Sequence, residues 1–493
     1  MKNVTVSLGL SVLLLSACGA PPAPTAPEAS PVAGEMGTTS AACEEPVPAL
    51  SLSDRAVQRR ATEAAIWGMS AVNADLMRQE MFAETKGKVN QMLYWSRPAD
   101  AKNQTLTPNP DAIYFMTFFD MTEVGPIVIE VPPADTGSFA GSIVNIWQVP
   151  LEDVGPQGAD AGKGGKYLVL PPGYQTKPPA GCVVLQSDTL SGYALLRSNL
   201  ISHSQADIEK AVSYGKRAKV YPLSQAKTAP PTEFADASGV LFDATIRYDI
   251  RFFESLHRIV QTEPWLARDR VMINTLRALG IEKGKPFEPD AQRKALLEAG
   301  ISEAKAYLAG IYDAGFPEFN PGIHWTMPAP PDAIAAAQNG FSEPNAYPVD
   351  SRGTAYTYAF IGIKRLGKAQ FYLISIKDKA GQSYDGAQAY RLTVPANAPI
   401  EQYWSVTAYD REIHTILNTS RPSQSSQNQE LQKNPDGSIE LYFGPKPPLG
   451  KESNWIPTDP ARKFELMFRF YGPTAPLFEK TWKLPDVERV DAH

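Results

Sequence analysis

Asp111 and Asp410 are the two carboxylates whose surroundings suit them to chemistry. Asp111 stands in Asn109-Pro-Asp-Ala-Ile-Tyr114, where Asn and Pro make the backbone turn and Tyr114 opens an apolar run. Asp410 follows Tyr409 in Tyr403-Trp-Ser-Val-Thr-Ala-Tyr-Asp410, with Trp404 before it and His414 after it. A carboxylate set among aromatics can act as general acid or base, while the rings offer a stacking platform for a sugar or another flat molecule. Asn454, Trp455 and Arg469 add an amide, a ring and a fixed cation. Arg469 lies between Phe468 and Phe470 on a strand, so it points to the face opposite theirs and is expected to meet solvent or a carboxylate. If these groups converge, the meeting place is a pocket between lobes, since ligand sites favour domain interfaces. Each residue also has a purely structural reading. Asp111 and Asn109 then shape a turn, Trp404 and Trp455 fill cores, and Arg469 makes an ion pair.

Other chemistries lack their motifs. The five histidines, including His414, show no paired metal-ligand spacing, and no His-Glu-x-x-His string occurs, so no metal site is expected. Gly137-Ser-Phe-Ala-Gly141 places its Ser wrongly for a nucleophile elbow. Ser224-Gln-Ala-Lys227 and Ser302-Glu-Ala-Lys305 begin like penicillin-recognising enzymes but lack the companion strings, and Ser302 is expected to cap a helical turn. Gly162-Lys-Gly-Gly-Lys166 precedes a strand rather than a helix, which makes it a hairpin turn and not a phosphate loop. No cofactor is expected. A formal net charge of -6 argues against nucleic acid.

With 43% hydrophobic and 10% aromatic residues the chain has ample material for buried cores, and its length implies more than one domain. Residues 1–17 read as a signal peptide: Lys2, a short apolar run from Val4 to Leu15, and Leu15-Ser-Ala-Cys18, which resembles a lipobox with Cys18 as the lipidated residue. Gly19 rather than Asp follows, which favours an outer-membrane anchor facing the periplasm. Residues 18–46, rich in Ala and Pro, form a tether. Cys43 and Cys182 are the remaining cysteines; in an oxidising periplasm they either form a disulfide or stay as two buried thiols. A long helix is expected from a Ser53-Asp54 cap to about Lys86, with a stripe that includes Val57, Ala61, Ala64, Met69, Val72 and Met77. Short apolar runs with Pro and Gly turns then indicate strands up to about residue 200, helices dominate 201–345, and strands resume in 346–493.

Asn109-Pro-Asp-Ala-Ile-Tyr114, Ile127-Val-Ile-Glu-Val-Pro132 and Tyr167-Leu-Val-Leu-Pro-Pro-Gly-Tyr174 resemble the bacterial domain of unknown function 1254. Tyr403 to Asp410, Asp436-Gly-Ser-Ile-Glu-Leu-Tyr442, Asn454-Trp-Ile-Pro457 and Phe468-Arg-Phe-Tyr471 resemble its habitual partner, domain 1214. The resemblance covers nearly the whole mature chain in matching order. It implies a mainly β, α+β protein: a first lobe over 47–200 with an N-terminal helix, a helical connector over 201–345, and a jelly-roll-like sandwich over 346–493. It brings no catalytic assignment. Ala112 stands where that family commonly has Thr, which weakens any enzymatic role that needs the hydroxyl. The expectation is a cell-envelope lipoprotein that binds or hydrolyses a small molecule or glycan between its lobes; the alternative is a non-catalytic scaffold for an envelope partner. Hydrolysis by paired carboxylates would require two acids about 5–10 Å apart in a groove. Nothing in the sequence sets the oligomeric state.

Overall fold

Ala, Met and other small or flexible side chains run through Leu52–Thr85, and that composition lets the long helix become the centre of the molecule rather than a surface element. The computed structural model describes residues 50–358, 362, 364, 365, 367 and 370–491. The signal peptide, Cys18, the tether and Cys43 lie outside the described residues. The helix is capped by Ser51, whose hydroxyl accepts from the Asp54 amide, and it ends at Lys86 in the left-handed region. Every residue from Ala64 to Arg78 is buried, so the expected one-sided stripe extends around the whole circumference. Helices Ile250–Thr262, Met272–Leu279, Ala291–Ala314 and Val349–Tyr358 surround it. Close approach requires Gly300, where a Cβ would fall 2.5 Å from the Cβ of Ala61 and 2.8 Å from the carbonyl oxygen of Gln58. The buried Asp75 is paired with Arg78 at 2.8 Å and Arg258 at 2.7 Å. Ser302 is not a cap: it sits within Ala291–Ala314 and its hydroxyl donates to the Glu298 carbonyl.

The fold is α+β, with eight α-helices among the described residues. In the first lobe a six-stranded sheet runs in the order Phe234–Asp236, Met92–Tyr94, Ala112–Asp120, Ser191–Asn199, Phe139–Asn145 and Pro150–Val154. A four-stranded sheet of Lys219–Pro222, Ile127–Val131, Gly165–Leu170 and Cys182–Gln186 packs on it. Alternation along each strand sorts the side chains: Ile113, Phe115 and Leu196 enter the core between the sheets, together with Ile129 and Tyr167. Tyr114, Met116 and Tyr193 face the other way, toward the helices.

The second lobe repeats the arrangement. A six-stranded sheet, Glu318–Asn320, Ile323–Thr326, Gln370–Ser375, Phe464–Tyr471, Trp404–Asp410 and Ser423–Ser425, is antiparallel throughout. It packs on Trp455–Pro457, Ile439–Gly444, Ala389–Val394 and Glu488–Val490 through Trp404, Leu441, Phe443, Phe468 and Phe470. The stretch 201–345 is not helical alone. Lys219–Pro222 and Phe234–Asp236 complete the sheets of the first lobe, and Glu318–Asn320 and Ile323–Thr326 open the large sheet of the second. The Gly162-to-Lys166 segment is a turn between sheets rather than within a hairpin, because the preceding strand Pro150–Val154 belongs to the six-stranded sheet and the following one, Gly165–Leu170, to the four-stranded sheet. Gly162 and Gly164 adopt φ of +73° and +71° there, and the Asp160 carboxylate accepts from the Gly155 amide at the start of the loop.

Candidate cavity between the two large sheets

The segment Thr105 to Asp111 leaves the first lobe and is held by side chains of the second. His414 accepts the Thr107 amide on its carbonyl at 2.7 Å, and Arg469 donates to the Thr107 carbonyl at 3.2 Å. Tyr409 donates to the Pro108 carbonyl at 2.7 Å, and the Asn109 side-chain amide donates to the Tyr471 hydroxyl at 2.5 Å. Tyr403, stacked on Tyr471 with ring centroids 4.0 Å apart, donates to the Asp111 carbonyl. Asn109 also accepts the Asp111 amide on its own side chain, the local turn that an Asn-Pro-Asp string favours.

Behind this segment is a cavity of ≈ 120 Å³. One water needs only about 10–15 Å³, so there is room for a multi-atom ligand. The first large sheet supplies Tyr114 and Met116 on one strand and, opposite and beyond them on its neighbour, Tyr193, Leu195 and Arg197. The second supplies Tyr372 opposite Arg469, with Met467 and Gln370 beside them. Trp95, Met77, Met327 and Phe371 add apolar surface. At the helix side, Gln148 donates to the Ser70 carbonyl and to Asn73, and accepts from Tyr193 at 2.6 Å. Tyr193 and Arg197 are four residues apart on one strand, about 13 Å at ~3.3 Å per residue. The cavity therefore has an amide-rich end, an apolar middle and a cationic end.

The cationic end holds no carboxylate among the described residues that line it. Arg469 is buried; it donates to Thr407 at 3.1 Å, Tyr409 at 2.6 Å and the Thr107 carbonyl, and its Nε has no partner. Its guanidinium lies 5.2 Å from the Tyr372 ring centre. Arg197 lies deep in the fold yet keeps solvent-accessible area, because the space it faces is the cavity. Among the described residues its side chain makes one hydrogen bond, a long 3.5 Å contact to the Tyr114 hydroxyl. Burial acts to lower both pKa values, but the surrounding phenol oxygens, chiefly Tyr114 for Arg197 and Tyr409 for Arg469, outweigh it and hold them above the ordinary arginine value. Burial, with Tyr403 and Asp111 nearby, pushes the Tyr471 hydroxyl well up. Both arginines are thus cations without a carboxylate partner among the described residues.

Of the residues singled out from sequence, Tyr114 and Arg469 line the cavity, and Tyr409 holds Arg469 and the loop. Arg469 meets neither solvent nor a carboxylate, the two fates expected of it. Asp111 is in the loop, but its carboxylate turns to His203 at 3.0 Å, leaving Oδ2 unpartnered. Asp410 does not join it: one oxygen accepts the Glu412 and Ile413 amides and the other accepts Arg462 at 2.5 Å. His414 is bound to Glu465 at 2.9 Å. Trp404 faces the sandwich core, its ring stacked 5.3 Å from Phe468, because strand alternation places it opposite to Tyr409. Asn454 ties loops through the Gln432 and Glu440 carbonyls, and Trp455 donates to the Gly444 carbonyl. Cys182 is half-buried on the edge strand Cys182–Gln186. Among the described residues no three His, Cys, Asp or Glu side chains gather as a metal site. Arg197 escaped the reading of the sequence. Its signal was present: a cation on the same alternating face as Tyr193 and Leu195.

A two-lobed α+β protein whose paired sandwiches enclose a cavity is the class these features define. The chain belongs to the family built from Protein of unknown function (DUF1254), matched over residues 89–222, followed by Protein of unknown function (DUF1214), matched over 369–475. Arg197 falls within the first match and Arg469 within the second, whereas the long helix precedes both. Among solved structures the chain is similar to the VPA0106 protein from Vibrio parahaemolyticus, at 16% identity and a TM-score of 0.55, covering 88% of this chain and 100% of that one. An uncharacterized protein from Burkholderia cenocepacia matches at 11% identity and a TM-score of 0.38, over 89% of this chain and 95% of that one. The first likeness is one of fold. No curated protein matches the chain.

Proposed function

We propose that this protein binds a small molecule in the cavity between its two large sheets. The observation that carries the reading is the lining itself: mostly apolar walls with a few convergent polar groups, the composition of ligand sites in general. Binding is favoured over hydrolysis because no Asp, Glu, His, Ser or Cys is among the described residues that line the cavity. A glycosidase would need two carboxylates there, and the candidates Asp111 and Asp410 are engaged elsewhere. The test is a thermal-shift screen of the protein against apolar acids, alcohols and amides, repeated with Leu195→Trp to fill the space. A ligand at a hundredfold its Kd stabilises by about 2.7 kcal/mol. The expected result is a hit that disappears in Leu195→Trp; a hit that survives the filled cavity, or silence across the screen, would overturn the reading.

Anchoring to the cell envelope through Cys18 is part of the same proposal, supported by the apolar run and the Leu15-Ser-Ala-Cys18 string. Cys18→Ala should move the protein from the membrane fraction to the soluble fraction. Unchanged membrane association would sink the anchor.

A further inference from the structure

Resting on the binding reading above, we propose that the ligand is an oxyanion with an apolar body, its carboxylate or phosphate group held by Arg197 and Arg469. A buried guanidinium stays charged and is expensive to bury unless an opposite charge compensates it. Arg469 is 1% exposed, aimed into the cavity, and left with an unpartnered Nε. Arg197 makes one weak hydrogen bond to Tyr114, and its other N–H groups meet no acceptor among the described residues. The Arg197 guanidinium lies 5.6 Å from the Tyr114 ring centre and that of Arg469 5.2 Å from the Tyr372 ring centre, and all four residues line the same cavity. Phenols and a carbonyl supply partial negative charge there; none supplies a full one. A planar fork on each side of an anion is the arrangement by which arginines grip carboxylate and phosphate. Toward the helix, Leu195, Met116 and Met77 offer no polar partner, which calls for an apolar body attached to that anion.

The experiment compares three ligands with one linear eight-carbon body on the full-length protein by calorimetry and thermal shift: the carboxylate, the phosphate monoester and the neutral primary amide. The expected result is binding of at least one anion at least tenfold tighter than the amide. Whichever of the two anions binds better identifies the headgroup. Arg197→Gln should bring the anion down to the level of the amide, while Arg197→Lys, which keeps the charge but loses the fork, should fall between. Equal binding of all three would overturn the anionic assignment and leave the cavity reading intact. Absence of binding by any of the three, together with silence in the wider screen, would remove both. If Arg197→Gln fails to melt cooperatively, the comparison of anion and amide on the unaltered protein still decides the matter.

Discussion

Glu465 and Arg469 lie four residues apart on the strand Phe464–Tyr471, both buried and on the same face, and their surroundings differ in kind. The Glu465 carboxylate accepts from Tyr312 at 2.9 Å and from Arg411 at 3.1 Å, and is bound by His414 at 2.9 Å. Burial acts to lower the Arg411 pKa, but Glu465 together with Tyr312, Asp313 and Tyr358 outweighs it, and the Tyr312 hydroxyl is pushed well up by burial and by the same carboxylate. Arg469, about 13 Å along the strand, has only a hydroxyl, a phenol and a carbonyl. This sheet can therefore surround a buried charge with its opposite. Glu465, and Asp75 in the first lobe, are compensated in this way; among the described residues Arg469 shares its want of a carboxylate with Arg352, likewise buried with unpartnered nitrogens, and differs from it in lining the cavity.

Removing each charge in turn separates the two centres. Glu465→Ala strips the centre of its buried carboxylate, leaving Arg411 with only the exposed Asp313 and the Tyr312 hydroxyl and His414 ring without their acceptor. Breaking a buried pair in this way costs about 3–5 kcal/mol. Urea denaturation should show a loss of that size, and a loss under about 1 kcal/mol would mean that the centre is not held by its ion pairs.

Arg469→Met should cost less. It gives up hydrogen bonds worth about 1.5–3 kcal/mol each, but it also removes the several kcal/mol needed to keep an uncompensated cation out of water. A net change below about 2 kcal/mol is expected by the same denaturation measurement. A loss as large as that of Glu465→Ala would make Arg469 a structural tie between strand and loop, and the contrast between the two charges would fail.

How much of this was readable beforehand divides along the same line. The long helix, the two β lobes and the importance of the Asn109-to-Tyr114 stretch follow from local chemistry: a Ser cap, alternation, and a string of turn residues. Arg469 stood out because a cation between two Phe residues breaks an apolar run. Its lack of a partner was not legible, since ionic compensation depends on which strands become neighbours, and Tyr372 and Tyr409 reach it only through pairing across the sheet. Asp410 misled for a related reason. Its turn, Asp410 to His414, satisfies the carboxylate locally through the Glu412 and Ile413 amides, which aromatic company alone does not reveal. The helices within 201–345 carry local cap residues, Asp249, Asp290 and Gly280 among them, whereas the strands between them are too short to show a period.

The smallest effect is expected at the pair that stands between these extremes. Asp111 is buried with one oxygen on His203 and the other unpartnered, while the His203 side chain is 45% exposed. The hydrogen bond that the His203 ring donates to Asp111 raises the His203 pKa above 6.5, against the opposing pull of burial. Below 6.5 the imidazole is protonated in both the folded and unfolded chains, so the stabilisation is fully present there. It is lost as the pH rises through the higher folded value. Unfolding free energy should therefore decline as the pH rises above 6.5, by a modest amount because solvent screens the half-exposed ring. Asp111→Asn should flatten that decline and leave the acid side of the profile with the smaller difference between the ionised and neutral ring. Equal slopes in the two proteins, from urea midpoints at pH 6, 7 and 8, would show that His203 does not draw its charge from Asp111. The loop carboxylate would then be as uncompensated as Arg469, and the two would have to be considered as one separated pair across the mouth of the loop.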